Sequence, residues 1–218
     1  MSPRPYRLGR RQEGVDKTRD RIVDAARTLL KGDGYAEFTV DTVAREADVS
    51  RATVYYQFGS KAGLLEALFD DLAVRGRMTD LAGAFQEADP LAALDRFIGI
   101  VTRFYASDRI LLRRLRGLAA MDPDFASGIR GRDERRKKGL TVLLDRIAER
   151  HRRPGEMDIE RALDVLHTLT SFETFDGLSR HGRRPAEIRE IVAGLARAEL
   201  GLTQRARGPR STTGSSAS

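Results

Sequence analysis

Apolar residues recur at spacings of three and four along most of the chain, and polar residues fill the positions between them. In the stretches from Ile22 to Leu30 and from Leu94 to Tyr105, the apolar side chains share one face of a helix. No segment alternates between apolar and polar residues as a half-buried strand does. The pattern therefore predicts an all-α fold of about nine helices.

Capping residues divide this pattern into elements. An oxygen-bearing side chain just before a helix can accept a hydrogen bond from a free backbone N–H. Residues in such positions are Thr39, Ser50, Ser60, Asp89, Asp108 and Asp122. Near the C terminus, the apolar residues from Ile159 to Phe175 predict one long helix that ends near Gly182, and Pro185 opens the last helix.

The composition predicts four segments. Residues 1–16 contain arginines and prolines with few apolar residues, and they are expected to form a flexible basic arm. Residues 203–218 are rich in Arg, Gly, Ser and Thr, which predicts a disordered tail. The helical pattern between them is divided into a small N-terminal domain over 17–62 and a larger helical domain over 63–202.

The formal net charge of +7 indicates a polyanionic partner, but the charge is unevenly distributed. Residues 18–77 sum to −1, whereas residues 109–153 sum to +8. The basic groups in this second stretch lie mainly in Arg113–Arg116 and Arg130–Lys138. They either attract an anionic ligand or form a solvated helical face.

The absence of cysteine excludes a disulfide framework, a cysteine-based zinc site and a cysteine nucleophile. No apolar run approaches the ~18 residues of a membrane span and no secretory pattern occurs, so a cytoplasmic location without a membrane partner is expected. The three histidines lack metal-ligand spacing, and no phosphate-binding or nucleophile-elbow motif is found. We expect no catalytic residue, no metal site and no cofactor, with an enzyme kept as an alternative class.

Two short predicted helices separated by a tight turn carry the strongest functional signal. Val43, Ala44 and Ala47 are suited to packing one helix across the next. Asp48 can take the place of the usual turn glycine, because its short polar side chain tolerates a left-handed backbone. The second helix begins after Ser50 with small polar and aromatic residues. This arrangement predicts a helix-turn-helix, which presents its second helix to the DNA major groove.

The run from Phe38 to Lys61, FTVDTVAREADVSRATVYYQFGSK, resembles the TetR family of bacterial transcriptional repressors. The resemblance covers about residues 18–72, and beyond them only chain length and helix order support it. It implies an N-terminal three-helix helix-turn-helix DNA-binding domain and a C-terminal helical ligand-binding and dimerisation domain. The DNA-contacting residues that it implies are Thr39, Ser50, Arg51, Ala52, Thr53, Tyr55, Tyr56, Gln57 and Lys61. Taken alone, Tyr55 and Tyr56 are equally compatible with core aromatics.

The resemblance also assigns ligand binding and dimerisation to the second domain. Candidate ligand residues are Phe97, Val101, Phe104, Leu118, Met121, Phe125, His167, Thr170 and Ser171. Candidate dimer residues form apolar stripes on the last two predicted helices, and they are Leu166, Leu169, Phe172, Phe175, Ile188, Ile191, Val192 and Leu195. The alternative is that both sets belong to the core of a single chain.

The predicted function is that of a transcriptional regulator, most simply a repressor. A homodimer would bind double-stranded DNA at a palindromic operator, and a small-molecule effector would release it. Two alternatives besides an enzyme stay open: a DNA-binding protein without a small ligand, and an activator.

Overall fold

Eleven α-helices make up the part of the chain that the computed structural model describes, residues 6–32, 38–151 and 158–202. No strand occurs in these ranges, which confirms the predicted all-α fold. The helices are α1 (Tyr6–Lys31), α2 (Val40–Glu46), α3 (Arg51–Phe58), α4 (Lys61–Arg75), α5 (Leu81–Phe85), α6 (Pro90–Ser107), α7 (Arg109–Ala119), α8 (Pro123–His151), α9 (Ile159–Leu169), α10 (Phe172–Arg180) and α11 (Pro185–Glu199). A 3₁₀ turn, Met78–Asp80, precedes α5. The predicted tail over 203–218 lies outside the described residues.

The first helix begins earlier than the sequence analysis predicts. α1 starts at Tyr6, so residues 6–16 of the predicted flexible arm are helical, and residues 1–5 lie outside the described ranges. The segment has no apolar periodicity, which is why the prediction placed the helix start near Thr18. It nevertheless contains no proline after Pro5, and three of residues 6–16 are arginines, which are good helix formers.

The predicted long helix near the C terminus is in fact two helices. α9 ends at Leu169, and Ser171 caps α10 by accepting a hydrogen bond from the backbone N–H of Thr174 at 3.2 Å. The hydroxyl of buried Thr170 donates to the carbonyl of Leu166 at 2.8 Å. Apolar spacing continues across this break, so periodicity alone did not reveal it. With α5 and this division, the count exceeds the predicted nine helices.

α4 connects the N-terminal helices to the rest of the fold. It packs against α1 and α3 on one side and against α6 and α8 on the other. Its buried side chains belong to one continuous apolar core, and they are Leu64, Leu65, Leu68, Phe69 and Leu72. The predicted domain boundary between residues 62 and 63 therefore falls within α4.

Arginine contacts also join α1 to later helices. Arg114 of α7 donates to the carbonyls of Leu30 and Gly32 at the C-terminal end of α1, the second at 2.6 Å. Arg27 of α1 pairs with Asp71 of α4 and lies 3.5 Å from a carboxylate oxygen of Asp108, the residue that caps α7. The position of α1 is therefore tied to both α4 and α7.

Most residues predicted for the dimer interface lie in the core of the single chain. The buried members of that set are Leu166, Phe172, Phe175, Ile188 and Val192. A side chain buried in its own chain has no surface left for a partner. These residues therefore belong to the core of the single chain and not to a dimer interface. Leu169 and Ile191 are partly exposed, and Leu195 is 50% exposed. The alternative that these residues form the core of a single chain is thus correct for the buried ones. Leu195 is the most exposed residue of the predicted dimer set.

None of the helices in the described ranges combines the length and the apolar content that crossing a bilayer requires.

Candidate nucleic-acid interface and ligand cavity

α2 and α3 are joined by a turn that backbone hydrogen bonds close. Thr39 caps α2 reciprocally with Thr42: Thr39 Oγ1 accepts from the N–H of Thr42 at 3.1 Å, and Thr42 Oγ1 accepts from the N–H of Thr39 at 2.9 Å. In the turn, Asp48 has a φ of 50°, which confirms the predicted left-handed position. The N–H of Val49 then donates to the carbonyl of Ala44 at 3.0 Å. These bonds fix the direction in which α3 leaves the turn.

α3 contributes little apolar surface to the core. Val54 is the one buried residue of this helix, and Phe58 at its end is partly buried against the core. Tyr56 is 84% exposed and Tyr55 is also exposed. The alternative that these tyrosines are core aromatics is therefore wrong. Adjacent large aromatic side chains left in water are typical of a binding surface.

Arg51 lies at the start of α3 and is held by two neighbours. Its Nη1 is 2.9 Å from a carboxylate oxygen of Asp41 in α2, and its Nη2 donates to the hydroxyl of Tyr55 at 3.4 Å. The hydrogen bond to Tyr55 and the charge of Asp41 raise the pKa of Arg51 above its ordinary value. Arg51 is therefore positively charged, and its contacts orient the guanidinium on the exposed face of α3.

The other predicted DNA contacts on α3 surround Arg51. Ser50 caps the helix by accepting from the N–H of Thr53 at 3.0 Å, and the two hydroxyl oxygens are 2.8 Å apart. Ala52 is exposed in the first turn. The structure thus gathers Ser50, Ala52 and Thr53 at the N-terminal end of α3, where free backbone N–H groups can bind phosphate.

Basic residues outside α3 flank this surface. Lys61 begins α4, and its Nζ is 5.7 Å from the ring centroid of Phe38. Arg19 of α1, which the sequence analysis did not select, donates to the carbonyl of Gln57 at 3.2 Å and lies 4.6 Å above the ring of Phe58. Only folding brings α1 beside the end of α3, so no local signal identified Arg19.

A cavity of about 330 Å³ lies among α4, α5, α6, α7 and α8. Three of the predicted ligand residues, Phe97, Val101 and Phe104, line this cavity. The rest of its apolar wall consists of Phe69, Ala73, Met78, Leu81, Phe85 and Ile129. The volume is at the small end of the range for ligand-binding pockets.

Five further predicted ligand residues lie away from this cavity. Met121 is 82% exposed, Phe125 is buried in the core and Leu118 packs against the core. Thr170 and Ser171 border a separate void of about 10 Å³, which has room for about one water molecule. The structure does not place these five at the cavity, because periodicity identifies the apolar face of a helix but not the gap that the face borders.

His167 is the sixth predicted ligand residue that does not line this cavity, and it is held by neighbouring polar groups. Its Nε2 is 3.0 Å from Nη2 of Arg136 and 3.3 Å from the carbonyl oxygen of Asp133. Burial and the charge of Arg136 lower the pKa of His167 below its ordinary value. These contacts fix the position of the ring. Among the described residues, no group of three or more histidine or acidic side chains is arranged to hold a metal ion.

One end of the cavity is built from charged side chains. Arg116 of α7 bonds Asp133 of α8 and Glu173 of α10, each at 2.9 Å. Arg136 of α8 donates to the hydroxyl of Thr170 at 2.9 Å and lies 3.4 Å from Asp133. The sequence analysis identified the basic stretches that contain Arg116 and Arg136. It did not indicate that they meet at one site, because the residues of the cluster are far apart in the sequence.

Tyr105 stands beside these arginines. Its hydroxyl donates to the carbonyl of Thr170 at 3.2 Å. Burial raises the pKa of Tyr105 to about 12, so the phenol stays protonated near neutral pH.

A further arginine of the cavity wall, Arg132 of α8, bonds α4. It pairs with Glu66 and, at 2.6 Å, with Asp70, and its guanidinium lies 4.3 Å above the ring of Phe69. All three partners belong to α4, so a residue of the cavity wall directly holds the helix that packs against α3.

Comparisons with known proteins agree with this geometry. The sequence model described as "Bacterial regulatory proteins, tetR family" matches residues 22–68, which contain α2 and α3. The HTH-type transcriptional regulator TtgR of Pseudomonas putida is 28% identical over 179 residues, covering 78% of this chain and 82% of that protein. The HTH-type transcriptional regulator EthR of Mycolicibacterium smegmatis is 28% identical over 153 residues, 68% of this chain and 70% of that protein.

Solved structures share the fold at lower sequence identity. A TetR transcription regulator from Haloarcula marismortui has a TM-score of 0.66 at 21% identity, covering 85% of this chain and 97% of that one. A putative TetR-family transcriptional regulator from Syntrophomonas wolfei has a TM-score of 0.69 at 14% identity, with coverages of 86% and 97%. The helical arrangement, including the C-terminal part, is therefore one that such regulators adopt.

Proposed function

We propose that the chain is a DNA-binding transcriptional regulator of the tetR family, and that it is a repressor that works as a homodimer. Each α3 enters the major groove at one half of a palindromic operator, and a small molecule in the cavity releases the protein. The exposed face of α3 carries this proposal, because Arg51, Ala52, Tyr55 and Tyr56 are exposed and available for DNA while Val54 faces the core.

The proposed contacts divide into base readout and phosphate binding. Arg51 exchanges its exposed bond with Asp41 for a base edge or a phosphate, and Tyr55 and Tyr56 contact the walls of the groove. The remaining predicted residues bind phosphate or lie against the groove, and they are Thr39, Ser50, Ala52, Thr53, Gln57 and Lys61. The hydroxyls of Thr39 and Ser50 accept the cap hydrogen bonds, and each can turn its proton from a neighbouring threonine hydroxyl to a phosphate.

The proposed dimer uses the outward face of α10 and α11. On α11, exposed Leu195 and partly exposed Ile191 lie one helical turn apart. A Cβ added at Gly177 or Gly194 would meet nothing within 4 Å, so a partner helix can approach the backbone closely there. A dimer of this kind would hold two α3 helices about 34–36 Å apart, one turn of DNA.

The proposed release works through α4. Phe69 and Ala73 of this helix line the cavity, and the same helix packs against α3. Gly76 ends α4 so close to α6 that an added Cβ would lie 2.6 Å from Cδ2 of Phe104, another cavity residue. A ligand that binds better when α4 is displaced therefore alters the separation of the two α3 helices. A coupling of about 1–3 kcal/mol gives a 5- to 150-fold change in DNA affinity.

A matched pair of substitutions tests the dimeric DNA-binding mode. Leu195→Asp on α11 and Val142→Asp on α8 replace side chains that are each 50% exposed. Sedimentation velocity and fluorescence anisotropy with operator DNA give the assembly state and the affinity. We expect Leu195→Asp to yield monomers. A monomer should bind operator DNA at least about 100-fold more weakly than the dimer, because it contacts only one half-site. Val142→Asp should remain dimeric. Monomers with full operator affinity would contradict the proposal.

A further inference from the structure

The polar end of the cavity points to the chemical class of the effector. We infer that the ligand is an amphiphile with a single carboxylate, whose apolar body lies among the phenylalanines and whose carboxylate lies between Arg116 and Arg136. The inference rests on the proposed function, because it names the ligand of the same cavity.

Formal charge alone does not decide the class of ligand. The side chains that line the cavity include four guanidinium groups and two carboxylates, namely Arg116, Arg132, Arg135, Arg136, Asp70 and Asp133. Two more carboxylates, Glu66 and Glu173, pair with these arginines from outside the lining. The four guanidinium groups and four carboxylates sum to a formal charge of zero. Buried polar atoms without a hydrogen-bond partner therefore indicate the class of ligand.

Two buried donors in the cavity wall lack acceptors. Nε of Arg116 and Nε of Arg136 are buried and have no hydrogen-bond partner, and the side chain of Arg136 is only 10% exposed. A guanidinium keeps its protons in a protein, so each Nε can be satisfied only by an acceptor. A buried donor without one costs about 1–3 kcal/mol. A ligand ammonium would bring more donors, whereas a carboxylate brings two acceptor oxygens and a charge-assisted bond.

The carboxylate already present cannot supply these acceptors. Asp133 receives both Arg116 and Arg136 through their Nη atoms, with its nearest bond at 2.9 Å. Tyr105 is protonated and donates to the carbonyl of Thr170. A water molecule could accept from one Nε, but it lacks the charge that two guanidinium groups favour.

The apolar part of the cavity wall fits an apolar body. Phe69, Phe85, Phe97 and Phe104 line it, and the ring centroids of Phe85 and Phe97 are 6.2 Å apart in an edge-on arrangement. A volume of about 330 Å³ accommodates one short chain or a single ring with its headgroup. The combination of an aromatic wall with paired guanidinium groups therefore specifies a small carboxylate amphiphile.

Three probes that differ only in the headgroup test this inference. Decanoate, decanamide and decylammonium are titrated into the full chain by isothermal calorimetry at constant pH, and operator release is followed in parallel by anisotropy. Decanoate should bind at least about tenfold more tightly than decanamide, since a charge-assisted bond is worth roughly twice a neutral one. Decylammonium should bind most weakly of the three.

Matched variants locate the headgroup. Arg136→Met keeps an unbranched apolar stem, removes the guanidinium and its charge, and should abolish the preference for decanoate over decanamide while decanamide still binds. Arg130 is exposed on the same helix, and Arg130→Gln should leave the preference unchanged. Because Arg136 also bonds Thr170, Arg116→Gln is the second variant if circular dichroism shows that Arg136→Met is unfolded.

The outcomes separate this inference from the proposed function. Equal or tighter binding of decanamide or decylammonium overturns the carboxylate assignment, and a preference that survives both substitutions does so as well. If either of these probes then releases the operator, the effector mechanism stands without the carboxylate. Failure of all three probes to bind a chain that still binds its operator also overturns the inference.

Discussion

Replacing Asp41 with asparagine is expected to strengthen operator binding. In the free protein, Arg51 is held by the carboxylate of Asp41 at 2.9 Å, and the two side chains are 59% and 62% exposed. Arg51 has to leave this partner before it can reach DNA, so the ion pair competes directly with the operator.

The exposure of the pair limits the size of this effect. Ion pairs between solvent-exposed side chains are weak, so the affinity gain should be small, about 1.4- to 5-fold. Asp41 also lies in the first turn of α2, where a carboxylate favours the helix by about 0.3–1 kcal/mol. Asp41→Asn should therefore bind DNA more tightly while melting at a slightly lower temperature.

Anisotropy titrations of operator DNA measure this gain, with Asp145→Asn as the control for the change in net charge. Asp145 is exposed on α8, away from α3. Repeating Asp41→Asn in an Arg51→Gln background should remove most of the gain, because the carboxylate then has no guanidinium to hold. A loss of affinity on Asp41→Asn would show that Asp41 positions Arg51 for DNA, which would refute the competition argument.

Three further substitutions test other parts of the structure. Tyr56→Ala should weaken operator binding by about 1–3 kcal/mol without lowering the melting temperature, since the ring is exposed; unchanged affinity would remove this residue from the DNA interface. Gly63→Ala should cost about 1–3 kcal/mol in unfolding free energy, because its Cβ would overlap a carbonyl oxygen at the end of α3, whereas Gly131→Ala on α8 should be neutral or stabilising. Asp176→Asn should cost about 1–3 kcal/mol at neutral pH. Burial tends to raise the pKa of Asp176, but the hydrogen bond from Arg113 outweighs it and holds the pKa below the ordinary 3.8, so the deficit should shrink in unfolding curves as the pH falls below that value.

The helix-turn-helix was predictable because its determinants are local. Thr39 and Ser50 are caps whose partners lie three residues away, and Asp48 adopts the backbone conformation that its side chain tolerates. The spacing of small residues in α2 also sets the packing of α3. Each of these determinants acts over fewer than four residues or along one helix, which is the range in which sequence patterns are informative.

The ligand cavity and the dimer face depend on contacts between distant residues. Arg116 and Asp133 are 17 positions apart, and Arg136 and Thr170 are 34 apart, yet they meet at one end of the cavity. An apolar stripe reports that a face is buried but not whether its own chain or a partner covers it. This is why the buried residues of α10 and α11, such as Phe175 and Val192, were assigned to a dimer interface.

Selection of genomic fragments with the purified chain, followed by footprinting of the strongest site, tests the central claim most directly. The account predicts two inverted half-sites whose centres lie about 10 base pairs apart, or a multiple of one helical turn, both protected by one dimer. Protection of a single unpaired half-site, or a site occupied by a monomer with full affinity, would contradict it.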